Sequence, residues 1–417
     1  MRSSLVVSRS RSPEPEPDPD PEPRGRVRVN HRTPAPLRLL VGLVVLAIGL
    51  AACGSADRSP APSATSSPAP VSVVASSSPT PAPTATPTPA PTATPEPTPV
   101  KVPSPLTGRL VSPKVARRHP IAVMIDDIRV ARPQSGLNSA AVVWHAPAEA
   151  GIPRYMAVFT DKYPKWIGPV RSARVYYIAW ASEWKAVYAH SGGSPAAKRQ
   201  LKAKGDGTLV YNADEFRYGG GAFGRIPERR APHNVYTSGA RMHRLGIRLG
   251  AEDQDYDPIW TFAPDAPLEA RPYGGTIRIR YPQNTVVYRY DRESNRWMRG
   301  VTGEKQQIDA NDDKPIGPRN VVIMYAQFTN SGDSKGRLDA DVIGSGKATV
   351  STNGRTVEGV WKKDSTTAPT QFFTEAGDPI PLTVGQTFIQ VVDIGTDVTI
   401  KPGSVTPPAS PSASPSG

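Results

Sequence analysis

Two arginines three residues apart, Arg171 and Arg174, follow Gly168-Pro169 in a chain of 417 residues. At the start of a helix, side chains three apart share one face. Free N–H groups of a first turn and the helix dipole would then join both guanidinium groups around a phosphate or a carboxylate. The plainer alternative is a pair of surface or interface arginines. Arg154 either joins this clamp or pairs with Glu149. Further on, His190-Ser191-Gly192-Gly193-Ser194 leaves an apolar run and enters a helix-like stretch. Ligands of open α/β sheets sit at such exits. Ser194 acts as a nucleophile only beside a base, and His190 or His233 would have to supply it. Pro195-Ala196 after Gly193-Ser194 departs from the G-x-S-x-G elbow. Ser194 as an N-cap, with Pro195 at the first helical position, accounts for the same residues without catalysis.

Other constellations are weaker. His145 and Glu149 have metal-ligand spacing only on a helix, and Pro147 between them opposes one. Asp126, Asp127 and His119 would have to complete such a site, so no metal and no cofactor are expected. His233-Asn234 follows a basic run and reads as a polar turn capping a helix that begins near Thr237. Gly344-Ser345-Gly346-Lys347 fails as a phosphate-binding loop, because Asp341 stands at its first glycine and Ala348 replaces the Ser/Thr. It reads as a strand connection. The ligand-binding set is therefore Asp126, Arg154, Arg171, Arg174, His190, Ser194, His233 and Asn234.

These side chains need elements to position them. Ile121-Ala122-Val123-Met124-Ile125 is an apolar run with acids at its exit, the pattern of a buried strand. Similar runs cover 140–144, 155–159 and 186–189, and helix-like stretches cover 171–184 and 196–204. Strands interleaved with helices predict a mixed α/β domain over 105–267. From 268 to 401 the pattern alternates, with strands near 276–281, 286–290, 321–328 and 388–392. Asn353-Gly354 between two such runs is a strong hairpin signal, since both turn positions need positive φ. A mostly antiparallel β domain follows. The fold class is α+β.

The address of the chain is written before residue 105. The apolar run 39–52 is fourteen residues long, follows Arg32 and Arg38, and ends at the only cysteine, Cys53. It is shorter than the ~20 residues a spanning helix needs and has the length of a signal-peptide core. Leu50-Ala51-Ala52-Cys53 resembles a lipobox, which makes 1–52 a signal peptide and Cys53 a lipidated N-terminus. Residues 54–104 hold fourteen prolines and no aromatic residue. They cannot bury enough apolar surface to fold, and extended they reach on the order of 160 Å. Residues 402–417 have the same character. The net charge is +13, with 40 basic and 30 acidic side chains from residue 105 onward. No nucleic-acid-binding motif accompanies that charge. Outside a membrane, the anions it meets are headgroups, wall phosphates and wall carboxylates.

Five separated blocks carry a resemblance. They are Pro120-Ile121-Ala122-Val123-Met124-Ile125-Asp126, Ala131-Arg132-Pro133-Gln134-Ser135-Gly136-Leu137-Asn138, Ile167-Gly168-Pro169-Val170-Arg171-Ser172-Ala173-Arg174, His190-Ser191-Gly192-Gly193-Ser194 and Pro232-His233-Asn234-Val235-Tyr236. Together they resemble the YerB-like family of bacterial lipoproteins. The stretch around Gly344-Ser345-Gly346-Lys347, Asn353-Gly354 and Val360-Trp361-Lys362-Lys363 is similar to that family's second domain. The resemblance implies two domains and a lipid anchor, and it implies no catalytic residue. Two departures stand out: Asp127 falls where the family pattern implies Asn, and Trp144-His145 where it implies Tyr-Glu. The leading expectation is a membrane-anchored, non-catalytic module that binds an anionic wall polymer or an envelope protein. A hydrolase using Ser194 with His190 or His233 is the rival, and a self-assembling structural protein is the third reading.

Overall fold

The structure, a computed structural model, describes residues 100–407. Cys53, the signal-peptide run, residues 54–99 of the expected stalk and the tail from residue 408 lie outside the described residues. The ends of the two segments expected to be unfolded are in fact ordered against the domain: Val102–Pro103 pairs with Leu110–Val111, Ser104 is buried on Asp161, and Ser404 bridges Tyr273. Among the described residues no helix is long and apolar enough to cross a membrane.

The first half contributes β1 (Ile121–Asp126), β2 (Val142–Pro147), β3 (Pro153–Phe159), α1 (Val175–Ala181), β4 (Val187–His190), α2 (Pro195–Lys204), β5 (Tyr211–Asp214), α3 (Glu215–Ala222) and α4 (Gly239–Arg248). The second half contributes β6 (Thr276–Arg280), β7 (Thr285–Asp291), β8 (Arg296–Val301), β9 (Asn320–Ala326), β10 (Gly344–Thr352), β11 (Arg355–Lys363), β12 (Gln371–Thr374), β13 (Thr387–Asp393) and β14 (Val398–Lys401). Ten of these strands form one sheet in the order β12-β11-β10-β9-β13-β2-β3-β1-β4-β5. Strands from both sides of residue 268 therefore share a single sheet. They meet where β13 runs parallel to β9 on one side and to β2 on the other, with Phe388 opposite Val143. The β-rich half is thus mostly antiparallel, with this parallel seam as its exception. A second, antiparallel sheet has the order β8-β7-β6-β14.

The continuous apolar runs of β1, β2 and β3 follow from cover on both faces. Ala122 and Met124 point into one hydrophobic layer with Trp144, Met156, Tyr177, Trp180 and Ile389. Ile121, Val123 and Ile125 point into another with Met242 of α4 and Ile277, Tyr288 and Trp297 of the smaller sheet. Each layer draws on both sequence halves, so the cores follow the faces of the sheet and not the order of the chain. In β6 the pattern alternates, with Ile277 and Ile279 buried and Arg278 and Arg280 exposed, because one face of the smaller sheet meets water.

Local signals held at two turns. Asn353 and Gly354 both have positive φ, 48° and 72°, and close the β10–β11 hairpin. Ser194 caps α2, its hydroxyl accepting from Ala197 N at 3.2 Å, with Pro195 at the first position. Elsewhere the expectations need correction. The helix expected over 171–184 begins only at Val175, because residues 171–174 are pulled extended across the sheet ends. Gly344-Ser345-Gly346-Lys347 is not a connection but the start of β10, paired against β11. Ser238, not His233 or Asn234, caps α4.

Candidate functional site

Residues 171–174 organise the candidate site. Arg171 N donates to Met124 O (2.9 Å), Ser191 N to Arg171 O (3.0 Å), Ala173 N to Gly192 O (2.9 Å) and Ser194 N to Ala173 O (3.1 Å). The segment thus lies across the carboxyl ends of β1 and β4, which run parallel to each other and to β5. Stacking of Trp144 on Trp180, 4.5 Å between ring centroids, fixes α1 behind it. Tyr177 Oη donates to Arg154 O (2.5 Å) and accepts from Ala146 N (3.1 Å), which ties α1 to the ends of β2 and β3.

Arg171 and Arg174 do not form a clamp on one helix face, because neither lies within the helix. Nor are the amides before them free: Gly168 N donates to Ser135 O and Val170 N to Val235 O. Each arginine instead meets a different acid. Asp126, at the end of β1, accepts from His233 Nδ1 at 2.6 Å on Oδ2, and the same oxygen lies 3.0 Å from Arg171 Nε as an ion pair without hydrogen-bond geometry. Glu149 takes Arg154 NH2 at 2.9 Å on one oxygen and Arg174 NH2 on the other. Burial would raise the Glu149 pKa, but the charges of Arg154 and Arg174 outweigh it and bring it down to about 2. Arg154 NH1 also donates to Ser172 O (3.0 Å), linking both acid-centred groups through the 171–174 segment. Arg154 sits opposite Asp126 in the β1–β3 register.

The remaining residues of the predicted set are adjacent but turned to structural tasks. His190 is fully buried, with Nδ1 2.7 Å from Gly192 O and Nε2 2.7 Å from Asn212 Oδ1. Asn234 Oδ1 accepts from Arg225 NH1 (2.9 Å), and Arg225 NH2 pairs with Glu215 (3.0 Å). Among the described residues no hydrogen bond joins Ser194 to His190 or His233. The nucleophile–base pair required of a serine hydrolase is therefore not assembled. Three groups keep access to solvent: the side chains of Arg171, His233 and Glu149 are 24%, 18% and 28% exposed. Among the described residues the two terminal guanidinium nitrogens of Arg171 and Nε2 of His233 make no hydrogen bond. The surface here thus presents a partly exposed guanidinium beside an imidazole oriented by a buried carboxylate.

A second polar cluster lies behind the first, between the two sheets. Asp127 accepts five hydrogen bonds. Oδ1 takes Tyr155 Oη (3.0 Å), Arg132 Nε (3.2 Å) and Gln134 Nε2 (3.3 Å). Oδ2 takes His145 Nε2 (2.9 Å) and Asn284 Nδ2 (3.2 Å). His145 Nδ1 meets Gln390 Oε1 of β13 at 2.9 Å. Burial would raise the Asp127 pKa, but the hydrogen bond and charge of His145, with Arg132 and Arg299, hold it well below the usual carboxylate range. Burial lowers the His145 pKa. This cluster was absent from the predicted set. Asp127 and His145, two of the residues weighed above for a metal site, prove to be in contact. His119 stands apart at the opposite end of β1, bonded to Lys185 O and Glu252 O. Among the described residues no group of three or more potential metal ligands converges.

Comparison with known proteins agrees with the fold. Residues 106–253 match the N-terminal domain, and residues 277–389 the C-terminal domain, of the family described as "Protein of unknown function (DUF3048)". The chain is 32% identical over 285 residues to "Putative lipoprotein YerB" of Bacillus subtilis (strain 168), covering 67% of this chain and 82% of that one. The crystal structure of YerB protein from Bacillus subtilis superposes with a TM-score of 0.64 at 29% identity, covering 72% of this chain and 100% of that chain.

Proposed function

This chain belongs to the DUF3048 family of YerB-like proteins, and from that premise we propose that it is a membrane-tethered, non-catalytic module that captures an anionic group of a wall component or an envelope protein. Lipid on Cys53 would anchor it to the outer face of the membrane, and the proline-rich stalk would carry the folded part outward. The observation that carries the reading is Arg171. Its Nε lies 3.0 Å from Asp126 as an ion pair, its side chain is partly exposed, and among the described residues its terminal nitrogens have no protein partner. An incoming phosphate or carboxylate would accept from that fork in bidentate fashion, with His233 beside it. Glu149, already shared by Arg154 and Arg174, would hold the neighbouring wall in place.

The test is a titration of the purified full-length chain with phosphate- and carboxylate-bearing wall fragments, run beside Arg171→Gln. Binding should weaken about ten-fold or more, since a charge-assisted contact contributes ~1.5–3 kcal/mol. Melting temperature should fall only modestly, since Asp126 keeps His233 as a partner, and equal affinity in the variant would sink the reading.

A hydrolase remains the second reading, and one contact favours it. Asp126 orients His233 through Nδ1 and leaves Nε2 facing the cleft, as a general base for an attacking water requires. Ser194 has no part in that arrangement. Turnover of an envelope ester or polymer that is lost in His233→Ala and kept in Ser194→Ala would displace the binding reading.

A further inference from the structure

The outer face of the smaller sheet carries cations that the cleft does not use. Alternation along β6 turns Arg278 outward, and in the β6–β7 register it stands opposite Val287. Arg289, two residues beyond Val287, also points outward and is its diagonal neighbour, roughly 7–8 Å away between backbones. Both line a groove of about 450 Å³ whose far wall is the turn from Gly300 to Lys305. Arg278, Arg289 and Lys305 are exposed, and among the described residues none is within ion-pair distance of an acid. Neighbouring cations are engaged: Arg280 pairs with Asp397 at 3.5 Å, and Arg132 with Asp127 at 3.2 Å. The acid in the groove wall, Glu304, is itself 3.9 Å from Arg132.

This groove does not end at the turn. A second groove, of about 320 Å³, shares Thr302 and Gly303 with it and adds exposed Arg129. Its wall includes Ile128, whose N–H donates to Asp126 Oδ1 (3.3 Å). The two grooves therefore run from the outer sheet face past the turn to Ile128 and Arg129.

We propose that these adjoining grooves form a docking track for a linear polyanion with repeated phosphates, of the glycerol-phosphate polymer class. Uncompensated cations distributed along two connected grooves match charges repeated along a chain, whereas a single small anion needs one focus. The same cations line depressions, which a chain enters and a flat bilayer surface spans. The attraction is long-range and screened by salt.

The experiment measures binding of the full-length chain to poly(glycerol phosphate), to free glycerol phosphate and to phosphatidylglycerol vesicles. Polymer binding should exceed monomer binding and fall steeply as salt rises. In Arg278→Ala/Arg289→Ala/Lys305→Ala it should weaken about ten-fold or more. The positions are exposed, so melting should be unchanged, and Arg278→Lys/Arg289→Lys should retain most of the affinity. Free glycerol phosphate, a single anion suited to the Arg171 fork, should bind the triple variant as it binds the parent, which separates this track from that site. Unaltered polymer affinity in the triple variant overturns the proposal. So does a loss confined to vesicle binding, which would assign the face to the membrane.

Discussion

Asp126 and Asp127 are consecutive, carry the same carboxyl group and each hold a histidine, yet they point to opposite faces of the large sheet. Asp127 is closed in. Five donors surround it, drawn from residues 132 to 284, and none of its surface reaches water. Asp126 is buried too, but its partners Arg171 and His233 reach solvent on their far sides. The difference separates a structural carboxylate from a functional one. Where every donor and acceptor is spent within the protein, the network specifies a fold. Where partners keep unspent hydrogen-bonding capacity at a surface, they are available to a ligand.

Removing the closed carboxylate should have the largest effect. Asp127→Ala leaves His145 Nε2, Tyr155 Oη and Asn284 Nδ2 without an acceptor and takes one of two acceptors from Gln134 and Arg132, and should cost about 3–5 kcal/mol of stability. Asp126→Ala, whose partners turn to water, should cost ~1–2 kcal/mol. Denaturant unfolding of both variants checks this, and similar losses would erase the distinction. The next effect concerns the contact between Asp127 and His145. Asp127→Asn and His145→Glu should each destabilise, but combined they place an amide–carboxylate pair across the same 2.9 Å contact. A double-mutant cycle should return a coupling of roughly 1–3 kcal/mol, whereas additive losses would mean that the contact carries no specificity.

The smallest effect belongs to the open side. Glu149 is held at about 2, below its ordinary 4.5, so the unfolded chain binds the proton more readily. Its contribution is full above about pH 4.5 and is lost as the pH falls through about 2. Partial exposure screens the pair, which limits the loss to ~1–2 kcal/mol. Acid unfolding of Glu149→Gln beside the parent should show a shallower slope across that window, and superimposable curves would show that Glu149 is not the group titrating.

Much of the site was legible in part. Asp126, Arg171, Arg174, His190 and His233 were expected around one cleft; Asp126 does meet Arg171 and His233, while Arg174 pairs with Glu149 and His190 is turned to Gly192 O and Asn212. What could not be read was who meets whom. The Arg171–Arg174 spacing suggested a shared helical face, but the segment forms extended backbone bonds to β1 and the 190–194 turn, and this sends its arginines to different acids. Spacing reports geometry only after the secondary structure is known. Ser194 was the opposite case. Its capping role follows from Ser-Pro at a helix start, and tertiary contacts left it unchanged.

By itself the sequence determined the local features: the doubly covered runs of β1, β2 and β3, the alternation in β6, the Asn353-Gly354 turn and the Ser194 cap. Each depends on side-chain periodicity or backbone sterics within a few residues. The proline-rich segment before residue 105 and the lone Cys53 were equally plain from composition. Only the tertiary structure decided that β13 lies between β9 and β2, making one sheet of two sequence halves. It alone brought His233 to Asp126 across 107 residues. Parallel pairing of distant strands leaves no local periodicity to read, since its partner is chosen by long-range packing. The same packing turned two neighbouring aspartates toward different surroundings, one sealed and one open.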